Sequence, residues 1–320
     1  MTWITWRRYR VRIVLLGLYV VALVVAMLIT EHAYVIAQHN FHGGTAVSNA
    51  QSNDSIVETA LALLPFLIGL VLGTPIVASE LEKKTNRLAW LQGVTRTRWL
   101  IRTWSTLTVP TVIVMALLAP LVQWWASHVV SSIGSGGGLI QPAQMLVSGI
   151  APIAVAIFAL TFGMFVGAVF QRFVSPYATS VVGMFVVMGL IPTRVLSSLA
   201  PKVIVPLNSG RFSSRALRTR PWSITTGFRR TPGIRVGPHA QSVSAAVRYC
   251  ANTIHWAKYA SPGSSKGYWG CMSAHGLQAI NILQPASHYW ALQWREAGLY
   301  VALAGVLLGL SVWAVRSWSA

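Results

Sequence analysis

Only six of the 320 residues are acidic: Glu31, Asp54, Glu58, Glu80, Glu82 and Glu296. Carboxylate-pair catalysis therefore has one close candidate, Glu80 with Glu82, and residues two apart do not face each other on a helix. No G-x-x-x-x-G-K-[ST] phosphate loop occurs, since Gly263-Ser264-Ser265-Lys266 lacks both the first glycine spacing and the following Ser or Thr. H-E-x-x-H is absent too. His39 with His42, and His255 with His275, lack further strong ligands at metal-binding spacing, so solvated loops are the expected reading. Cys250 and Cys271 share one long polar stretch; in an oxidising compartment they can form a disulfide, and two free thiols are the alternative. The chain is expected to hold no catalytic set, metal or cofactor of its own.

The elements that carry these residues are membrane elements. The chain is 54% hydrophobic and 10% charged with a mean hydropathy of +0.57, whereas soluble domains average about 25% charged residues. A net charge of +19 would suggest nucleic acid in a soluble protein. Here the basic residues fall in separate places, at the N-terminus, in the 80–102 region and in a late loop, with no nucleic-acid motif. Basic residues beside spans set orientation and meet anionic headgroups. Nucleic acid is not expected as a partner; the lipid bilayer is.

Six apolar runs are long enough to cross, at about 13–29, 56–77, 100–125, 145–170, 173–191 and 299–315. Arg7, Arg8, Arg10 and Arg12 precede the first run, interleaved with Trp3 and Trp6, while 31–55 has no Lys or Arg. The positive-inside rule then puts both termini in the cytoplasm, and Arg316 agrees. Glu58 lies near the outer end of the second run, as an interfacial carboxylate or an intramembrane polar contact. Gly69 and Gly73 in the second run, and Gly149, Gly163 and Gly167 in the fourth, allow neighbouring helices to approach closely. Pro110 and Pro120 are expected kinks in the third. Residues 192–293 form a long polar segment with seven arginines between Arg211 and Arg235 and no acidic residue. The span count places it outside, and loops beyond about 60 residues escape the positive-inside rule.

The stretch Gly73–Trp99, GTPIVASELEKKTNRLAWLQGVTRTRW, organises the rest. Gly73 and Pro75 end a span, and Glu80 and Glu82 open a polar helical segment, where acids suit the positive end of the helix dipole. Leu81, Leu88 and Leu91 recur at roughly helical spacing. Arg96, Arg98 and Trp99 make a basic, aromatic anchor for a headgroup layer.

This stretch resembles the cytoplasmic loop of type-2 ABC transporter permeases, in the actinobacterial-like form G-x-P-x-x-A-x-E-x-E-x-x-T … Q-x-x-T-R-x-R-W. The matching residues are Gly73, Pro75, Ala78, Glu80, Glu82, Thr85, Gln92, Thr95, Arg96, Arg98 and Trp99. A second match is Gln284-Pro285-Ala286 with Trp290, Gln293 and Glu296, similar to the family's Q-P-A-x-x-x-W-x-x-Q-x-x-E before its last span. There Tyr289, Trp290 and Trp294 read as an outer aromatic belt.

The resemblance implies an all-α polytopic permease over residues 1–320, with six transmembrane helices, a cytoplasmic coupling helix and a large external loop at 192–293. It implies an exporter in the plasma membrane, working as a homo- or heterodimer on a separate ABC ATPase subunit that binds the ATP. Glu80, Glu82, Thr85, Gln92, Arg96, Arg98 and Trp99 would form the ATPase-coupling loop. With Glu58 as almost the only charge expected within the spans, an amphipathic or lipidic cargo is favoured over an ion. The alternative is a non-transporting receptor or assembly scaffold whose basic external loop is the working part.

Overall fold

The structure is a computed structural model. It describes residues 2–39, 44–75, 77–78, 95–132, 142–170, 174–191, 203–206, 222–230, 244–245, 248–250, 271–272 and 274–317. The chain divides into two compact units, residues 1–135, 141–198 and 290–320 in the first, and 136–140 and 199–289 in the second. The sequence reading treats 1–320 as one membrane domain with a loop; the structure gives the loop a body of its own.

The first unit is helical. Its elements are α1 (Thr2–His39), α2 (Gly44–Ile68), a π-helical turn (Gly69–Gly73), α3 (Arg96–Ser132), α4 (Pro142–Val147), α5 (Ala151–Phe170), α6 (Val174–Leu190) and α7 (Tyr289–Ser317). Five helices are long and apolar enough to cross a bilayer, over Arg10–Ala33, Ser55–Gly73, Arg96–Ser127, Ala151–Phe170 and Tyr289–Ser317. The fifth apolar run of the sequence forms α6, whose 17 residues measure about 25 Å at 1.5 Å per residue, the short limit for a span.

Span boundaries shift for physical reasons. The N-terminal turns continue α1 without a break, because nothing between Trp3 and Arg12 interrupts a helix. In α2, Pro65 has no N–H to give to the preceding turn, and the ladder widens into the π turn within four residues. Pro110 and Pro120 sit inside α3, which remains one helix. The run at 145–170 is not one helix. Gly149 takes φ 76°, a conformation only glycine adopts without strain, so α4 stops at Val147 and α5 starts at Ala151. The last helix begins at Tyr289, ten residues before the expected 299.

Burial identifies the centre. In α5, 67% of the spanning window is buried, against 17% in α1, so α5 is the axis around which the others pack. Ala154, Val155 and Phe158 of α5 join Ile191 and Ala297, Tyr300 and Ala304 of α7 in one cluster. Phe66 of α2, Ala159 of α5 and Met184 of α6 make another. The α2–α5 seam is drawn tight by small residues. A Cβ on Gly73 would lie 2.5 Å from the Leu160 carbonyl oxygen, and one on Gly163 would lie 2.5 Å from that of Gly69. The glycine stripes seen in the sequence therefore face each other.

The second unit contains a three-stranded antiparallel sheet of β1 (Val203–Pro206), β2 (Trp222–Arg230) and β3 (Leu277–Gln284), ordered β1-β3-β2. Asn281 of β3 pairs with Val205 on one side and Thr226 on the other, and β2 has an irregularity between Ser223 and Thr225. This sheet was not expected within a helical membrane protein. Its strands carry the β-branched and aromatic residues that suit a pleated surface, such as Val203, Ile204, Val205, Ile280 and Ile282. Cys250 and Cys271 are bonded, with Cα atoms 5.8 Å apart and a sequence separation of 21. Tyr249 packs edge-on to His275, ring centroids 5.4 Å apart.

Candidate functional site

Glu80, Glu82, Thr85 and Gln92, expected from the sequence in an ATPase-coupling loop, lie outside the described residues. The structure describes the two stems on which that loop stands. On the α2 side, Val77 and Ala78 are fully buried, and a Cβ on Gly167 of α5 would touch the Thr74 carbonyl oxygen at 2.7 Å. Thr74 Oγ1 donates to the Gly69 carbonyl at 3.4 Å, the five-residue spacing of a π turn, and shares a 3.0 Å hydrogen bond with Ser180 Oγ of α6. This stem is locked to α5 and α6 through backbone-close packing and one buried hydroxyl pair.

On the other side, Thr95 caps α3. Its Oγ1 accepts the Arg98 N–H at 3.4 Å, which satisfies one of the first-turn donors that a helix leaves unpaired. Its carbonyl accepts the Trp99 N–H at 3.0 Å. Arg98 is exposed, Arg96 and Trp99 are half-buried, and Leu100 is fully buried, so the segment enters the apolar bundle within two residues. Arg316 near the end of α7 donates from Nε to Thr97 Oγ1 at 2.9 Å, tying the C-terminal end of the bundle to the start of α3.

Within the bundle, polar groups are joined in pairs. Tyr19 donates to the Ala60 carbonyl at 2.7 Å, Trp104 Nε1 to Thr161 Oγ1 at 2.9 Å and Trp125 Nε1 to Thr30 Oγ1 at 3.0 Å. These bonds join α1 to α2, α3 to α5 and α3 to α1. Glu58 is half-buried in the first turns of the spanning part of α2, beside Thr59, which donates to the Ser55 carbonyl at 2.7 Å.

The most concentrated polar set stands on α7. The fully buried Gln293 clasps the turn between α4 and α5: its Oε1 accepts the N–H groups of Ile150 at 3.1 Å and Ala151 at 2.8 Å. Its Nε2 donates to the carbonyls of Met145 at 3.1 Å and Ser148 at 3.0 Å. One side chain thus satisfies first-turn donors of α5 and carbonyls at the end of α4. One turn further, Glu296 is 1% exposed and both carboxylate oxygens lack a hydrogen-bond partner; four residues on, the buried Tyr300 hydroxyl lacks one as well. The Tyr300 ring packs against Phe158 of α5 with centroids 5.5 Å apart.

The sequence reading placed Glu296 outside the last span and so missed it as an intramembrane carboxylate. Extending the helical period upstream of Leu299 would have found it, because Tyr289, Gln293, Glu296 and Tyr300 recur on one face and all four are buried. The outer aromatic belt changes accordingly. Trp290 and Trp294 are exposed on the lipid side, while Tyr289 turns inward.

A long-helix bundle with tight glycine seams, no catalytic constellation among its described residues, and a charged sequence between its second and third spanning helices is a multi-pass membrane protein. Residues 13–196 match the family described as ABC-2 membrane transporter related. The chain belongs to that family, whose members are membrane subunits of transporters and not themselves the ATPase. No curated protein and no solved structure matches the chain. The matched span ends before the three strands and α7, so the Gln293–Glu296 set lies outside it.

Proposed function

We propose that the chain is the permease subunit of an ATP-driven exporter in the plasma membrane, crossing it six times with both termini in the cytoplasm. The reading counts α6 as a crossing, which brings the five long helices to six, and α5 and α6, separated by only residues 171–173, then become antiparallel neighbours. The observation that carries it is the pair of anchored stems. The loop between Ala78 and Thr95 stands on one segment locked to α5 and α6 and on another capped by Thr95 and bonded to Arg316. A coupling element has to transmit force, and stems fixed in this way pass displacement to α2 and α3 instead of absorbing it.

Two permease chains, identical or not, would sit above two ABC ATPase subunits that bind the ATP. Closure of the ATPase pair presses on the segment containing Glu80, Glu82, Thr85 and Gln92. The tight α2–α5 seam then makes α2 and α5 tilt together, and the bundle alternates between inward-open and outward-open forms. Arg96, Arg98 and Trp99 hold the returning stem at the headgroup layer. An amphipathic or lipidic cargo fits helices that expose many large apolar side chains, among them Leu18, Leu117 and Val182. A Cys250–Cys271 bond persists in oxidising compartments, which supports an external position for residues 199–289.

The test is the double charge reversal Glu80→Lys/Glu82→Lys, with the chain reconstituted alongside its ATPase. The substituted chain should remain monodisperse while ATP hydrolysis no longer drives transport. Unchanged ATPase recruitment and unchanged transport would remove the coupling role from these acids.

A further inference from the structure

An apolar groove of about 420 Å³ runs between α1, α2 and α3, within the roughly 300–1,000 Å³ range of ligand pockets. Its floor is α2, through the buried Leu64 and Ile68 and, in the π turn, Leu72; its walls are Ile13, Gly17 and Val20 of α1 and Thr106, Pro110 and Val114 of α3. The groove is open at Gly17, where an added Cβ would meet no atom within 4 Å. Its two hydroxyls are already directed to their own helix, Thr106 to the Arg102 carbonyl at 2.8 Å and Thr111 to the Leu107 carbonyl at 2.8 Å. No donor is left to recognise a polar solute, so the lining selects hydrocarbon.

The two ends of the groove differ. About ten residues, or roughly 15 Å, beyond Val20 and Val114, the walls are joined by the Trp125–Thr30 hydrogen bond. At the other end each wall continues into an exposed arginine. Arg10 precedes Ile13 by three residues and Gly17 by seven, and Arg102 precedes Thr106 by four, so each lies on its groove face. Among the described residues, the acids of α1 and α2 are Glu31, Asp54 and Glu58, at the opposite ends of the spanning segments. The only described acid elsewhere is Glu296 of α7, a helix that contributes nothing to the groove. A hydrocarbon slot with two cations at one mouth is complementary to one kind of molecule in a bilayer, a lipid with an anionic headgroup.

We propose that this groove binds an acyl chain of an anionic phospholipid, with its phosphate held between Arg10 and Arg102. The geometry needs no ATPase and no assumption about which side of the membrane carries the arginines, so its failure would leave the transport reading standing. If that reading holds, the arginine mouth faces the cytoplasmic leaflet.

The experiment is native mass spectrometry of the full chain in detergent at low ionic strength, titrated with phosphatidylglycerol and, separately, phosphatidylcholine. The wild type should prefer phosphatidylglycerol by about thirtyfold, from roughly one kcal/mol for each of two arginines. Gly17→Leu fills the groove without striking the fold and should abolish retention of both lipids; Gly17→Ala should retain them. Arg10→Gln/Arg102→Gln should keep chain binding and lose the preference for phosphatidylglycerol. Wild-type retention by Gly17→Leu would overturn the site, and an unchanged preference in the arginine variant would overturn the headgroup assignment. If Gly17→Leu instead altered the oligomeric mass while lipid retention was unaffected, the groove would be an interface between protein chains and the proposal would fall.

Discussion

Replacing Gln293 tests how the bundle is built. Its side chain makes four hydrogen bonds, two accepted from Ile150 and Ala151 and two donated to Met145 and Ser148, all at the α4–α5 break. A typical intramolecular hydrogen bond contributes about 0.5–1.5 kcal/mol net, so their loss removes roughly 4 kcal/mol. The four backbone groups left behind are buried or partly buried in a protein whose surroundings are lipid, which supports the upper part of that range. At roughly 2–4 °C per kcal/mol for domains of this order of size, melting should fall by about 10 °C. Gln293→Met keeps the length and apolar volume while removing every polar atom, so it separates hydrogen bonding from packing. Gln293→Glu should do no better, because its carboxylate keeps the acceptor but faces the Met145 and Ser148 carbonyls with no donor. The assay is loss of the monodisperse peak after heating in detergent, with exposed Ala302→Leu on the same helix as the control. A Gln293→Met protein melting within about 2 °C of wild type, as surface changes do, would refute the clasp.

Other expectations follow from packing and covalent structure. Gly163→Ala places a methyl 2.5 Å from the Gly69 carbonyl oxygen and 2.9 Å from the Thr74 nitrogen, neither of which can swing aside. It should destabilise by roughly 1–3 kcal/mol, whereas Gly309→Ala meets nothing within 4 Å and should gain about 0.5–1 kcal/mol in the same heating assay. Equal effects at the two sites would contradict the α2–α5 seam. Cys250→Ser/Cys271→Ser opens a 21-residue link and should destabilise the sheet unit by about 3 kcal/mol. Limited proteolysis should then cut within 199–289 while the helical unit melts as before, and an unchanged cleavage pattern would show that the bond does not hold that unit together.

The helical body was legible because bilayer thickness and hydrocarbon content restrict what long apolar runs can do. The facing stripes Gly69/Gly73 and Gly163/Gly167 were readable for the same reason, since a small residue inside a span mainly serves close approach. Three features escaped. The break at Ser148–Ile150 hangs on one glycine at positive φ and on a glutamine more than 140 residues away, and neither alters hydropathy. Glu296 hid at the head of the last helix, where a polar neighbourhood resembles a loop until the buried face is traced back to Tyr289. The sheet is assembled from strands separated by up to 70 residues, and its hydrophobic pattern is diluted by the arginines of 211–235. Of the candidate site, the stems were anticipated as the ends of a coupling loop. Their ties to Ser180 and Arg316 are tertiary and leave no local signal.

The central claim is that this chain works on an ABC ATPase, and co-purification tests it most directly. The tagged chain would be co-expressed with a candidate ABC ATPase subunit, extracted in mild detergent, and the eluate weighed by light scattering. The account predicts a stable complex containing both subunits. A folded, monodisperse permease chain that elutes without the ATPase would contradict it.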